Sequence, residues 1–366
     1  MSSETTNIRS LARADVRTLP LYAPDAAACT VDVSDNTNLW GTSPAARRAL
    51  AEAPAASVAR YPSLYSAPLR DAVLRYTGLA RAAGVGVVTG CGSDDVIDAT
   101  MRAFGASGDR VAFSVPTFSM ISTLARLNGL AVESIPLTPG YDVDAERLVR
   151  LGAKITYLCT PNNPTATTIS RDAVEYVAQH ASGIVLLDEA YAEFAPETFV
   201  DLVTRFDRLI VTRTFSKAFG LAGLRVGYGV GSADLVGMIE RARGPYKVNA
   251  FAERAALAAL CESDDALGWM RAHVVLALEN RERLGEELRA LQLVPLPSAA
   301  NFLLVPTGQA VLLARRMRER GVLVRAFTGL PCDLEELAGS NGEALRIGVG
   351  PWETMQRVLD VLEEVS

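Results

Sequence analysis

Histidine is nearly absent from this chain of 366 residues: it has two, His180 and His273, both in helical stretches without a partner motif. That argues against a histidine-based catalytic triad. Cysteine is sparse as well. The five, at 29, 91, 159, 261 and 332, are odd in number, widely spaced and never in a CxxC pair, so disulfide and metal readings are both poor and no metal is expected. Cys91 and Cys159, near expected strand ends, read as small buried residues. No stretch reaches the roughly 18–20 uninterrupted apolar residues of a membrane span. Met1–Arg17 mixes charges of both signs without an apolar run, so no signal peptide is expected and the cytoplasm is the expected location. A net charge of −6 and the lack of a basic run argue against nucleic acid as a partner. Neither a Walker motif nor a GxGxxG follows the first strand, which removes the nucleotide-binding reading of the glycine-rich segments.

What remains is an ordinary globular composition, 49% hydrophobic and 21% charged, in a chain too long for one compact core. Two domains sharing a cleft are expected. From Val85 onward strand and helix patterns alternate, the mark of an α/β protein with a mainly parallel central sheet flanked by helices. Strands are expected at Val85–Thr89, Arg110–Ser114, Ala131–Ile135, Ile155–Cys159 and Val226–Val230. Further strands at Phe302–Val305, Val322–Arg325 and Leu345–Ile347, with helices at Gln309–Arg320 and Pro351–Glu364, suggest a smaller α/β part.

The most informative stretch is Thr214-Phe215-Ser216-Lys217-Ala218-Phe219-Gly220, continuing through Leu224-Arg225-Val226-Gly227-Tyr228. The apolar run Leu209-Ile210-Val211 leads into it as a buried strand. Hydroxyls, a lysine and an arginine beside a glycine-rich turn suit a phosphate-bearing cofactor whose aldehyde condenses with an amine, although a solvated lysine at a strand end would look the same. Upstream, Ile184-Val185-Leu186-Leu187 delivers Asp188 to the end of another strand. Asp188 either caps the next helix or holds a proton on a pyridine nitrogen. Lys217 follows it by 29 residues, room for one helix and one strand, so both can meet at one sheet edge.

These residues, with Pro161-Asn162-Asn163-Pro164-Thr165, Asp188-Glu189-Ala190-Tyr191, Gly223-Leu224-Arg225 and Leu345-Arg346-Ile347, resemble the fold type I pyridoxal-phosphate (PLP) aminotransferases, closest to the histidinol-phosphate aminotransferase group. The resemblance runs from about Asn7 to Glu364. It implies a large PLP-binding domain over 30–260 and a small domain built from 1–29 and 261–366. It implies Lys217, Asp188 and Tyr191 as the catalytic set, with Lys217 joined to PLP. Cofactor contacts would come from Gly92, Ser93, Asp94, Thr214, Ser216 and Arg225 around the phosphate, Phe118 stacked on the ring, and Asn163 and Tyr191 on the ring oxygen. Ser93 also reads as a plain helix cap. Tyr61 would cross a homodimer interface to the partner's phosphate.

On the substrate side the resemblance implies Tyr22, Asn36, Trp40, Arg325 and Arg346. Tyr22 reads equally as a packing aromatic. For Arg346 a structural ion pair is the alternative to the preferred grip on the substrate α-carboxylate. The implied activity is histidinol-phosphate:2-oxoglutarate transamination in histidine biosynthesis, between an amino-acid donor and a 2-oxo acid acceptor. An aromatic or other L-amino-acid aminotransferase, or a PLP-dependent decarboxylase or lyase of the same fold, is the alternative. Thr37, Trp40 and Lys247 depart from the family pattern of an acid, a tyrosine and an asparagine.

Overall fold

The computed structural model describes residues 8–19 and 29–366. Its strands are β1 (Val31–Asp32), β2 (Val85–Gly90), β3 (Arg110–Val115), β4 (Ala131–Pro136), β5 (Ile155–Cys159), β6 (Ile184–Asp188), β7 (Leu209–Thr214), β8 (Gly227–Ser232), β9 (Phe302–Pro306), β10 (Val322–Leu323), β11 (Arg325–Phe327) and β12 (Ala344–Gly348). Seven of them make one sheet in the order β2-β8-β7-β6-β5-β3-β4. Neighbours from β7 across to β4 run parallel, while β8 is antiparallel to both β2 and β7. The sheet is thus mixed and mainly parallel, with helices on its faces.

The central strands are buried on both sides. Val185, Leu187, Leu209 and Val211 enter one core, and Ile184, Leu186 and Ile210 enter the other. Alternate residues serve opposite cores, which is why these strands read as unbroken apolar runs. The helix Ser93–Phe104 covers the second core with Val96, Ile97 and Met101, at helical spacing.

A second sheet, β11-β12-β9, is antiparallel throughout. Its Leu303, Val305, Leu345 and Ile347 form a third core with Met355, Val358 and Leu362 of the helix Trp352–Val365. β1 pairs in parallel with β10, and Val33 joins this same core.

The single strand expected at Val322–Arg325 is two. β10 pairs with β1, whereas Arg325 stands opposite Arg346 in β11–β12. Val322 and Val324 are anchored in the third core, so the chain changes sheets between them and Arg325. Cys159 is buried as expected, but Cys91 is exposed, because it sits in the turn between β2 and the following helix rather than in the strand. The register aligns Cys159 with Asp188 and Asp188 with Thr212, which brings the carboxyl ends of β5, β6 and β7 to one edge. Ligands of open α/β sheets bind at such an edge.

Candidate active site

Asp188 ends β6 with its carboxylate buried. Its Oδ2 accepts from the Tyr157 hydroxyl at 2.9 Å, and its Oδ1 accepts from the Ala190 N–H at 3.2 Å and Thr212 Oγ1 at 3.4 Å. Burial pushes the Asp188 carboxyl up to about 7; the Tyr157 hydroxyl pulls it down, and the charge of Asp94 pushes it up again. The Tyr157 hydroxyl is itself held well above its ordinary value, by burial and by Asp188.

Lys217 lies in the loop after β7. Its half-buried amine donates to the Asp35 carbonyl at 2.9 Å and stands 5.8 Å from the Tyr191 ring centre. Burial, together with the charges of Arg346 and Arg225, lowers its pKa to about 8 against the opposing pull of Asp35 and Asp94. A lysine in that state is partly neutral near pH 7, as a nucleophile or base requires. Its loop is held by close packing. Gly220 has φ +66, and a Cβ there would collide with the Gly41 carbonyl. Asn38 Nδ2 donates to the Ala218 carbonyl at 2.9 Å. The segment 36–42 therefore lies over Lys217.

Asn36 Nδ2 donates to the Tyr191 hydroxyl at 3.1 Å, and Tyr191 is buried edge-on against Phe302. Arg346 reaches from β12 to the large sheet, where Nη1 donates to Asn163 Oδ1 at 2.7 Å and Nη2 to the Ser34 carbonyl. Arg325 and Arg346 are direct cross-strand partners, so both side chains leave the same face of the small sheet.

A cup lies beside these groups. Gly92, at φ +84, precedes the helix Ser93–Phe104 with no side-chain cap, leaving the first-turn N–H groups open. A Cβ on Gly92 would sit 2.7 Å from an Arg225 nitrogen, and one on Gly227 would strike the Ser93 amide. Thr214 Oγ1 donates to Ser216 Oγ at 2.9 Å, and Arg225 Nη1 donates to the same hydroxyl at 3.4 Å. Arg225 Nη2 is 3.6 Å from Asp94. Amide donors, two hydroxyls and a guanidinium around glycines that a methyl would fill suit a phosphate monoester. With Lys217 for an aldehyde and Asp188 for a ring nitrogen, the donor set fits PLP.

The structure thus gathers Asn36, Ser93, Asp94, Asn163, Asp188, Tyr191, Thr214, Ser216, Lys217, Arg225 and Arg346 into one region. Phe118 is half-buried after β3, packed on the second core. Tyr61 is 82% exposed and stacked on Tyr246 at 4.8 Å. Trp40 packs edge-on against His273 of the long helix Leu267–Ala290 and shares a small cavity with Asn38, Phe194, Ala218 and Asn301. Tyr22 lies outside the described residues. Tyr157 and Asp35 belong to the site without having been marked by any motif. A tyrosine inside the apolar run of β5 was the available signal for Tyr157, since a buried hydroxyl needs a partner.

A family profile, Aminotransferase class I and II, matches residues 29–362. The histidinol-phosphate aminotransferase of Roseiflexus castenholzii is 37% identical, over 98% of this chain and 99% of its own length. That of Thermoanaerobacter pseudethanolicus is 35% identical over 83% of this chain and 84% of its own. Among solved structures, the Sinorhizobium meliloti histidinol-phosphate aminotransferase in complex with pyridoxal-5'-phosphate superposes with a TM-score of 0.83, at 24% identity, covering 100% of this chain and 99% of that one.

Proposed function

Because this chain belongs to the class I and II aminotransferases, we propose that it exchanges an amino group between histidinol phosphate and 2-oxoglutarate, with PLP as cofactor. The observation that carries the cofactor reading is the convergence of Lys217, Asp188 and the Gly92–Ser93 cup at the carboxyl edge of one sheet. The relatives named above support the substrate pair, and the paired arginines 325 and 346 offer two cationic groups for the carboxylates of glutamate and the phosphate of histidinol phosphate.

When bound, PLP supplies an aldehyde for the substrate amine and a ring that accepts the electron pair left when the Cα–H bond breaks. Ser93, Thr214, Ser216 and Arg225 would hold its phosphate, and Asp188 would keep a proton on its ring nitrogen. Asn163 and Tyr191 would hydrogen-bond its ring oxygen. Lys217 would serve as the general base and acid for the Cα proton. Its lowered basicity lets it do both near neutral pH. Arg346 would grip the α-carboxylate of glutamate as a fork, its buried position beside Phe302 and Phe327 shielding that contact from water.

The same proposal includes a division into a large unit over 30–260 and a small unit from 1–29 and 261–366, with the small sheet supporting the second. It also includes a homodimer. Val58, Tyr61, Tyr65 and Tyr246 are exposed apolar groups suited to a partner surface. A cytoplasmic place in amino-acid biosynthesis goes with this reading; among the described residues no helix is long and apolar enough to cross a membrane.

The test is the visible spectrum of the PLP-loaded protein. L-glutamate should bleach the cofactor band and 2-oxoglutarate restore it, and histidinol phosphate should bleach it at lower concentration than L-phenylalanine. Preference for phenylalanine would move the substrate to the aromatic amino acids. Release of carbon dioxide or ammonia with a persistent band would move the reaction to the lyases.

A further inference from the structure

Two carboxylates stand in the first turn of the helix that forms the cup, Asp94 and Asp95. An anion there competes with a phosphate for the same open N–H groups and the same positive helix end. Desolvation raises the Asp94 carboxyl above the usual range against the pull of Arg225 and Lys217, and the charge of Asp95 raises it further. The Asp95 side chain is 9% exposed, and its Oδ2 accepts from the Cys91 N–H at 3.0 Å, which shapes the turn that presents Gly92. The carboxylate is therefore tied to the cup and cannot swing away into water.

Lys247 answers it. Its Nζ lies 2.8 Å from Asp95 Oδ1, and the side chain is 31% exposed. The residue comes from the turn at Pro245–Asn249, far along the chain. The turn is fixed on both sides. Asn249 caps the helix Ala250–Ala259 and its Nδ2 donates to the Leu224 carbonyl at 3.3 Å, next to Arg225. Tyr246, at φ +56, carries the stacked Tyr61 ring. Each carboxylate of the cup thus has its own cation, Arg225 at Asp94 and Lys247 at Asp95.

We propose that Lys247 is a positioning residue for cofactor retention: it neutralises Asp95, so that the Asp95 carboxylate can shape the Gly90–Ser93 turn without repelling the PLP phosphate. The inference rests on the reading of the cup as the PLP phosphate site. The cation acts through Asp95 and does not touch the cofactor.

The test is a double-mutant cycle on the PLP dissociation constant of the apo-protein, titrated by the cofactor's absorbance. Lys247→Met should weaken PLP binding by roughly tenfold, the scale of one uncompensated charge in a partly buried site. Asp95→Asn, whose amide oxygen can still accept from Cys91, should bind PLP at least as tightly as the wild type. In the double variant Asp95→Asn should restore most of the affinity lost with Lys247→Met. A lysine that merely anchored the 245–249 turn would not be rescued in this way. Wild-type affinity in Lys247→Met, or a double variant as weak as Lys247→Met alone, overturns the inference. A wild type that binds no PLP would instead sink the cofactor reading itself, and this inference with it.

Discussion

Burial holds the Asp188 carboxyl at about 7 in the cofactor-free protein, against about 3.9 for an exposed aspartate. Between those two values the folded state keeps a proton that the unfolded chain has lost, so this group's contribution to stability falls as pH rises through that window. Above about pH 7 the folded protein holds a buried carboxylate eased only by Tyr157, Ala190 and Thr212. Asp188→Asn should therefore raise the melting temperature of the apo-protein at pH 8, by roughly 2–4 °C, and leave it little changed at pH 4. The same substitution should cost turnover on the order of a hundredfold to ten-thousandfold, because an amide cannot stabilise a proton on the ring nitrogen. Equal melting curves at pH 8 would show that the carboxylate is not strained there. Lys217 gives a second pH prediction. With its amine at about 8, capture of PLP by the apo-protein should speed up as pH rises through 8 and level off above it, as stopped-flow absorbance would record. Lys217→Ala should abolish turnover while leaving some PLP binding.

At the level of strands and turns, the cup depends on β8 starting where it does. Gly227 opens β8 directly beneath the Ser93 amide, and the space is too small for a methyl. Gly227→Ala must push the helix Ser93–Phe104 away from β8, at a cost of about 1–3 kcal/mol, and should weaken PLP binding as well as thermal stability. A variant that melts earlier but binds PLP normally would separate the cup from the packing. The sequence disclosed β5 and β6 almost to the residue, because two-sided burial leaves apolar runs ended by Cys159 and Asp188, whereas the apolar run of β7 stops at Val211 and the strand continues through Thr212-Arg213-Thr214. The antiparallel setting of β8 between β2 and β7 left no such mark, since strand direction is set by the connections and not by composition. The break between β10 and β11 was equally hidden: the apolar run Val322–Val324 leads straight into Arg325, and only the pairing partners divide it. In the site, Lys217, Asp188 and Arg225 were legible from residue type and spacing. Tyr157, Asp35 and the Lys247–Asp95 pair were not, because each is a contact between distant segments. Trp40 was marked by motif position, and its packing against His273 could not be read from it.

For the whole molecule, the homodimer reading predicts that one chain alone does not make a complete site. Tyr61 is 82% exposed and rests on Tyr246, so its ring is open to a partner surface. If the homodimer is right, each cup takes a tyrosine from the other subunit, and the two defects can be separated by mixing. Tyr61→Ala keeps Lys217 but should bind PLP more weakly, by roughly tenfold for a lost charge-assisted hydrogen bond. Lys217→Ala keeps Tyr61 but cannot turn over. Refolded together, the two variants form hybrids in which one site has both its own Lys217 and the partner's tyrosine. At limiting PLP such mixtures should recover activity that neither parent shows, toward a quarter of the wild-type level when subunits pair at random and only complete sites work. Should Tyr61 serve its own subunit, no mixing ratio would restore the activity, and the exposed tyrosine pair would need another partner.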